Sequence, residues 1–131
     1  MTNKRSYSFP IYSPQQKINL PFVIDRCNAI RISQLMFKFS DFNKKVLLLS
    51  FSSLDSNSYF DGVNNVSYTF IQFNDGSKNT INYINNLPTY DSYFPPKNIM
   101  NLDIQVKIDN EYDNIISTEN ALYITLDFYS N

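Results

Sequence analysis

The sequence predicts an all-β protein, an antiparallel β-sandwich of about eight strands. Three observations point that way. Phe, Tyr, Ile, Val and Thr, which suit a pleated, half-buried surface, fall in short runs with period two. Asn, Asp, Pro and Gly separate the runs, as turns require. Helix signals are confined to 41–44 and 114–120, both too short for a stable helix.

Taken in chain order, residues 1–14 have no strong strand signal. A run from Tyr7 to Tyr12 is interrupted by Pro10, so this segment is expected to be an N-terminal arm able to reach a neighbour, with 15–131 as one β-sandwich domain. Ile18, Leu20, Phe22 and Ile24 form a stripe, and Pro21 on the opposite face suits an edge or a strand start. In 29–39 the apolar parity switches from Ile30 and Ile32 to Leu35, Phe37 and Phe39, which predicts a bulge near Ser33-Gln34. Residues 45–51 are continuously apolar, as in a strand covered on both faces. A second switch, from Val66, Tyr68 and Phe70 to Ile71 and Phe73, suits a sheet that curls or passes between sheets. Thr80 to Ile84 is short, with Ile81 and Tyr83 inward. Leu102, Ile104, Val106 and Ile108 alternate with Asp103, Gln105, Lys107 and Asp109. Leu122, Ile124, Leu126 and Phe128 do the same, leaving Tyr123 and Tyr129 on the outer face. Phe37, Phe39, Tyr68, Phe70 and Phe128 are expected in the core.

Asn74-Asp75-Gly76-Ser77 reads as a hairpin turn, and Asp61-Gly62 as a turn within a polar loop, 55–65. With two glycines in the chain, left-handed positions are expected to fall to Asn57, Asn64, Asn65, Asn79, Asn85, Asn86, Asn98, Asn110 and Asn114. The loop 85–98 combines three prolines with Tyr90, Tyr93 and Phe94, so it should be stiff and present its aromatics.

The inventory excludes several chemistries. There is no His, hence no Ser-His-Asp or Cys-His constellation and no imidazole metal site. Two glycines cannot make a dinucleotide fingerprint or a P-loop. Asp61, Asp75 and Asp91 could in principle pair for glycoside hydrolysis, but each sits beside turn residues where Asp is common for backbone reasons. Asp109, Glu111 and Asp113 alternate as in a calcium loop, yet Asn114 and Asn120 stand where Gly and a bidentate Glu are needed. The reading is therefore no enzyme, no cofactor and no metal. Cys27 has no partner for an intrachain disulfide and is expected half-buried beside a strand. A net charge of −1 argues against nucleic acid as main partner. Lys4-Arg5 and Lys44-Lys45 read as a solvated tail and turn, with a phosphate contact from Lys4-Arg5 as the alternative. No signal-peptide core or bilayer-length apolar run is present, so the expectation is synthesis in a cytoplasm without secretion and no membrane-spanning segment.

Asn, Ile, Tyr, Phe and Lys, all encoded by AT-rich codons, are abundant, while Gly and Ala are scarce, which suggests an AT-rich genome. Phe-Pro-Pro-Lys-Asn-Ile-Met-Asn-Leu-Asp-Ile-Gln-Val-Lys-Ile-Asp-Asn (94–110), a short acidic loop and Leu-Tyr-Ile-Thr-Leu-Asp-Phe (122–128) resemble the closing strand pair of single jelly-roll penton and minor capsid proteins of icosahedral DNA viruses. That resemblance implies a sandwich of jelly-roll type and a virion structural subunit. Such a subunit would act through assembly contacts as a homo-oligomer, with other capsid or virion proteins as partners and no sequence-specific nucleic acid. Tyr59, Phe60, Tyr90, Tyr93 and Phe94 are the candidate interaction surface, since a sandwich core cannot take every loop aromatic and exposed apolar patches mark contacts. The alternative is a carbohydrate- or receptor-binding β-sandwich such as a phage fibre head, whose tyrosines stack on a sugar; the missing Trp counts mildly against it. A cytoplasmic adaptor is a third reading.

Overall fold

The period-two stripes become strands in a computed structural model that describes residues 3–39, 46–52, 54, 57–74, 79–85, 89–112 and 116–130. These are β1 (Asn3–Ile11), β2 (Gln15–Lys38), β3 (Val46–Phe51), β4 (Asn57–Phe60), β5 (Asn65–Tyr68), β6 (Phe70–Phe73), β7 (Thr80–Ile84), β8 (Ser92–Ile108) and β9 (Leu122–Ser130). Among the described residues every named pairing is antiparallel and no helix occurs. The main sheet runs β1-β9-β2-β8-β3-β6, with β7 also on β2, while β4 and β5 form a separate hairpin.

β2 organises the sheet. Two runs that read as separate in the sequence join into one strand of 24 residues. From Gln15 to Ile30 it pairs with β8; from Cys27 to Met36 it pairs with β9, and Gln34 to Lys38 pair with β7. The change of partner follows Arg26, whose φ of 53° is rare for a residue with a Cβ. The Arg26 N–H donates to Asn98 Oδ1 at 3.0 Å, and register shifts against β8 flank the site. Asp25-Arg26-Cys27-Asn28 carries no Gly or Pro, and the residue that fastens the bend is 72 positions away.

The curl encloses one core. Phe9, Ile11, Ile30, Leu35 and Phe37 meet Leu47, Leu49, Phe51, Ile104 and Val106 with Leu122, Leu126 and Phe128. Each such fully buried side chain contributes about 1.5–3 kcal/mol against chain entropy. Phe37, Phe39, Phe70 and Phe128 are buried as expected, whereas Tyr68 is only half-buried.

Several expectations change. Residues 3–11 of the expected arm form β1, paired along its whole length with β9 and burying Phe9 and Ile11; a strand at the end of the order tolerates Pro10. Asn57 to Phe60 of the expected loop 55–65 are strand β4, and Ser92 to Asn98 of the expected loop 85–98 belong to β8. The pairing there jumps from Ala29–Tyr93 to Cys27–Lys97, so Pro95 and Pro96 fall where the ladder is broken. Of the asparagines expected in left-handed positions, Asn110 is the only one among the described residues with positive φ. Asp109 (52°) and Asn110 (62°) make a tight turn in which Ile108 and Glu111 exchange hydrogen bonds of 2.8 and 3.1 Å. Gly62 does take positive φ, 101°. Cys27 is fully buried within β2. The bulge near Ser33 is present as a register shift between Ile32 and Gln34. The chain also breaks at Thr69, between β5 and β6, where the second parity switch was read. The Asn74–Ser77 turn, the 41–44 stretch, Lys44-Lys45, Asn86, Asn114, Asp75 and Asp113 lie wholly or partly outside the described residues.

β3 is buried on both faces. Leu47, Leu49 and Phe51 enter the core; Val46, Leu48 and Ser50 face the other way, with Leu48 and Ser50 beneath β5 of the hairpin.

Candidate functional site

Parity puts Tyr123, Thr125, Asp127 and Tyr129 on the outer face of β9, opposite the core residues Leu122, Ile124, Leu126 and Phe128. Register then sets their neighbours. Asp127 lies between Ser6 of β1 and Arg31 of β2, Thr125 between Ser8 and Gln34, and Tyr123 between Pro10 and Met36. Beyond β2, Ile84 of β7 stands opposite Gln34.

The Asp127 row is closed. Arg31 Nη2 donates to Asp127 Oδ2 at 2.8 Å and Ser6 Oγ to Oδ1 at 2.5 Å, with the Arg31 and Asp127 side chains 12% and 4% exposed. Burying two charges is costly unless the carboxylate is well supplied with donors, and here both oxygens are engaged. The bond to Asp127 pushes the Arg31 pKa up.

Aromatic rings continue the cluster. The Arg31 guanidinium lies 5.7 Å from the Tyr129 ring, Tyr90 packs edge-on to Tyr129 at 4.7 Å, and Tyr93 packs on Tyr90 at 5.1 Å. Tyr129 is consequently buried, not displayed as its outward position suggests, and burial raises its phenol pKa. Asp91 anchors the segment that carries Tyr90 and Tyr93. Its N–H donates to Ile30 O at 2.9 Å and its Oδ2 accepts from Ile32 N–H at 2.6 Å. Asn85 N–H donates to Ser33 O at 2.9 Å. Together they satisfy the edge of β2 between the end of its pairing with β8 at Ile30 and the start of its pairing with β7 at Gln34. Burial pushes the Asp91 carboxyl up, against the opposing pull of the Ile32 N–H and of Arg31.

The far end of the face is apolar and open. The Ser8 and Thr125 hydroxyls share a hydrogen bond of 2.8 Å, and beyond them a groove of about 360 Å³ is lined by Pro10, Gln34, Met36 and Tyr123. Met36, Tyr123, Ile84 and Tyr93 are all exposed. The face thus offers rigid aromatic and apolar groups beside a closed ion pair, an arrangement suited to contact.

The five residues proposed from the sequence do not form one surface. Tyr90 and Tyr93 join this cluster. Phe94 packs against the core, with Lys97 Nζ 4.9 Å from its ring centre. Tyr59 and Phe60 lie on β4, where Tyr59 meets Phe73 at 6.0 Å and Phe60 is exposed. Arg31, Asp127, Tyr129, Met36 and Tyr123 were missed. Their only signal was outward parity, which reads as solvated until the strand register is known.

The remaining candidates have structural partners. Asp61 Oδ1 accepts from the N–H groups of Val63 (2.8 Å) and Asn64 (2.7 Å), which hold its carboxyl below the ordinary range. Asp109 Oδ1 accepts from Val46 N–H at 2.9 Å. Among the described residues no group of three or more His, Cys, Asp or Glu gathers to hold a metal. Burial pushes the Cys27 thiol up, away from thiolate chemistry. Arg5 stacks over Phe22 at 3.7 Å. Among the described residues no helix is long and apolar enough to cross a membrane. No protein-family model matches the chain, and no curated protein matches it.

Proposed function

We propose that the chain is a jelly-roll subunit acting through assembly contacts: a penton, minor capsid or other virion structural protein. The observation that carries the reading is the strand order. With β2 counted as two strands meeting at Arg26, most pairings fall into β1-β9-β2-β7 and β2-β8-β3-β6, while Cys27, Ala29 and Ile30 keep partners on β8 as well. Two groups of four strands are what a jelly roll would give, a fold that viral capsid domains share with lectins and cupins. The outer face of β1-β9-β2-β7 supports an assembly role, because Tyr93, Tyr123, Met36 and Ile84 are exposed on or beside it. Tyr93, held edge-on against Tyr90, has less side-chain freedom left to lose on docking.

The expected assembly is a closed homo-oligomer, in which one patch meets a different patch and the rotation closes. Sedimentation velocity on the purified chain over a range of concentration tests it. A discrete oligomer that weakens when Tyr93 and Tyr123 are both changed to Ser supports the reading. A monomer at every attainable concentration sinks it. The glycan-binding alternative finds its support elsewhere, beneath the β4–β5 hairpin.

A further inference from the structure

The outer face of the β3–β8 pair sets Leu48 beside Lys107 and Ser50 beside Gln105. The β4–β5 hairpin lies over this face and is held at two points. Asn110 Nδ2 donates to Asp61 Oδ2 at 2.5 Å at the hairpin turn, and Ser50 Oγ donates to Ser67 O at 3.2 Å along β5. Between hairpin and sheet remains a cleft of about 340 Å³ whose lining includes Ser50, Asn65, Ser67, Gln105, Lys107 and Asn110, with Leu48 and Val66 as its apolar part. Tyr112 stands beside these residues. Its hydroxyl donates to Gln105 Oε1 at 3.3 Å, and Lys107 Nζ lies 5.2 Å from its ring centre.

We propose that this cleft binds a carboxylate-bearing saccharide. Amides and hydroxyls supply the mixed donors and acceptors that ring hydroxyls need. Val66 and the half-exposed Tyr112 ring beside the cleft offer apolar surface to the C–H face of a pyranose. Lys107 is the one cation lining the cleft among the described residues and provides the contact to a carboxylate. Asp61, tied to its own turn and to Asn110, does not compete for it. An extended peptide fits less well, because its alternate side chains want apolar pockets and these walls are polar. A phosphate fits less well because the cleft has one cation and no Arg fork. The two ties on the hairpin preform the cleft, so little ordering cost opposes a small ligand. The inference is independent of the assembly reading and survives or fails without it.

Saturation-transfer NMR on the full chain is the test, with N-acetylneuraminic acid and glucuronic acid as probes. Galactose and acetate serve as observed controls, and inorganic phosphate, which has no carbon-bound proton to receive saturation, serves as a competitor against the sugar signal. The acidic sugars should bind in preference to all three. Lys107→Gln should weaken them about tenfold or more, toward the level of galactose, since it removes a charge-assisted hydrogen bond. Gln105→Ala should also weaken them, and Tyr93→Ser should leave them unchanged. Thermal melting confirms that each variant is folded, and Gln105→Ala gives the same reading should Lys107→Gln fail to fold. No transfer to either acid at about 10 mM, weaker than the millimolar range of a minimal sugar site, overturns the proposal. So does binding of acetate or phosphate as strong as that of the sugars, or an affinity unmoved by Lys107→Gln.

Discussion

The outer surface of β3 and the Asp127–Tyr129 end of the outer surface of β9 are both buried, by opposite means. Over β9 the cover consists of side chains drawn from distant parts of the sequence: Arg31, Ser6 and Tyr90 close on Asp127 and Tyr129. Over β3 the cover is a piece of chain, the β4–β5 hairpin, above Leu48 and Ser50. An ionic and aromatic cover depends on pairing, so removing one member leaves another buried without its partner. Leu48, buried beneath the hairpin, depends on filled volume and should respond to truncation as a core residue does. The contrast also divides the molecule functionally, into a face whose open end is apolar and a face that holds a polar cleft.

The largest effect should come from separating the ion pair. Arg31→Ala leaves Asp127 buried and short of donors, and should lower unfolding free energy in urea by about 3–5 kcal/mol. Replacing both partners, Arg31→Met with Asp127→Leu, should come close to the parent because the desolvation cost disappears with the charges. A single-variant loss under about 1 kcal/mol, the range of surface pairs, would show that the β9 face is solvated and that the contrast is false. Over β3, Leu48→Ala should cost about 2–5 kcal/mol, close to the value for Leu49→Ala on the core side of the same strand. If Leu48→Ala costs far less than Leu49→Ala, the hairpin is not a second core.

These two faces were unequally legible in the sequence. Continuous apolarity over 45–51 announced a strand covered on both sides, and that is how β3 sits. The terminal stripes of β8 and β9 were equally plain, because one core-facing side imposes period two. The β9 cover was hidden: an Asp at an outward position looks solvated, and nothing local says that the register brings Arg31 to it from 96 residues away. The bend in β2 was hidden for the same reason, since Asn98 rather than a local Gly holds it. Prolines misled at 95–96, where a broken ladder inside a strand absorbed them. Asparagine counts misled over left-handed positions, because Asn tolerates that conformation without requiring it.

Next in size is the turn that closes the β3 cover. Gly62 sits at φ 101° with no heavy atom within 4 Å of where a Cβ would stand, so the cost of Gly62→Ala is conformational, about 1–2 kcal/mol. The same substitution should also blunt sugar binding if the cleft needs the hairpin in place. The corresponding probe near β9 is pH. Asp91 has its folded pKa raised, chiefly by burial, so between its unfolded and folded values the native state binds more protons than the unfolded chain. Stability from this group therefore falls as pH rises through that interval and is fully present below it. Asp61, whose pKa is lowered by its turn N–H groups, works in the opposite sense, losing its contribution as pH falls through its folded value. Asp91→Asn isolates the first effect: the difference in stability between parent and variant should change across the mildly acidic range and be constant above it. A difference independent of pH throughout would mean that Asp91 is solvated and that the segment bearing Tyr90 and Tyr93 is anchored by something else.

The smallest effects on stability should come from the exposed residues, and they sharpen the contrast because their consequences lie elsewhere. Phe60 and Val63 on the hairpin side, 61% and 80% exposed, and Tyr93 on the other side, 63% exposed, should each change unfolding free energy by less than about 0.5 kcal/mol when replaced by Ser. Folding therefore gives no reason to keep three large apolar groups in water. If the β9 face makes the assembly contact, Tyr93→Ser alone among them weakens association measured by sedimentation, while Phe60→Ser and Val63→Ser leave the oligomer unchanged. The reverse pattern would move the contact to the hairpin tip and the exposed Phe73 beside it, where a docked partner would crowd the approach to the polar cleft. Association and sugar binding would then compete, and titrating N-acetylneuraminic acid into the oligomer would dissociate it; with the contact on the β9 face, the oligomer binds the sugar without change in mass.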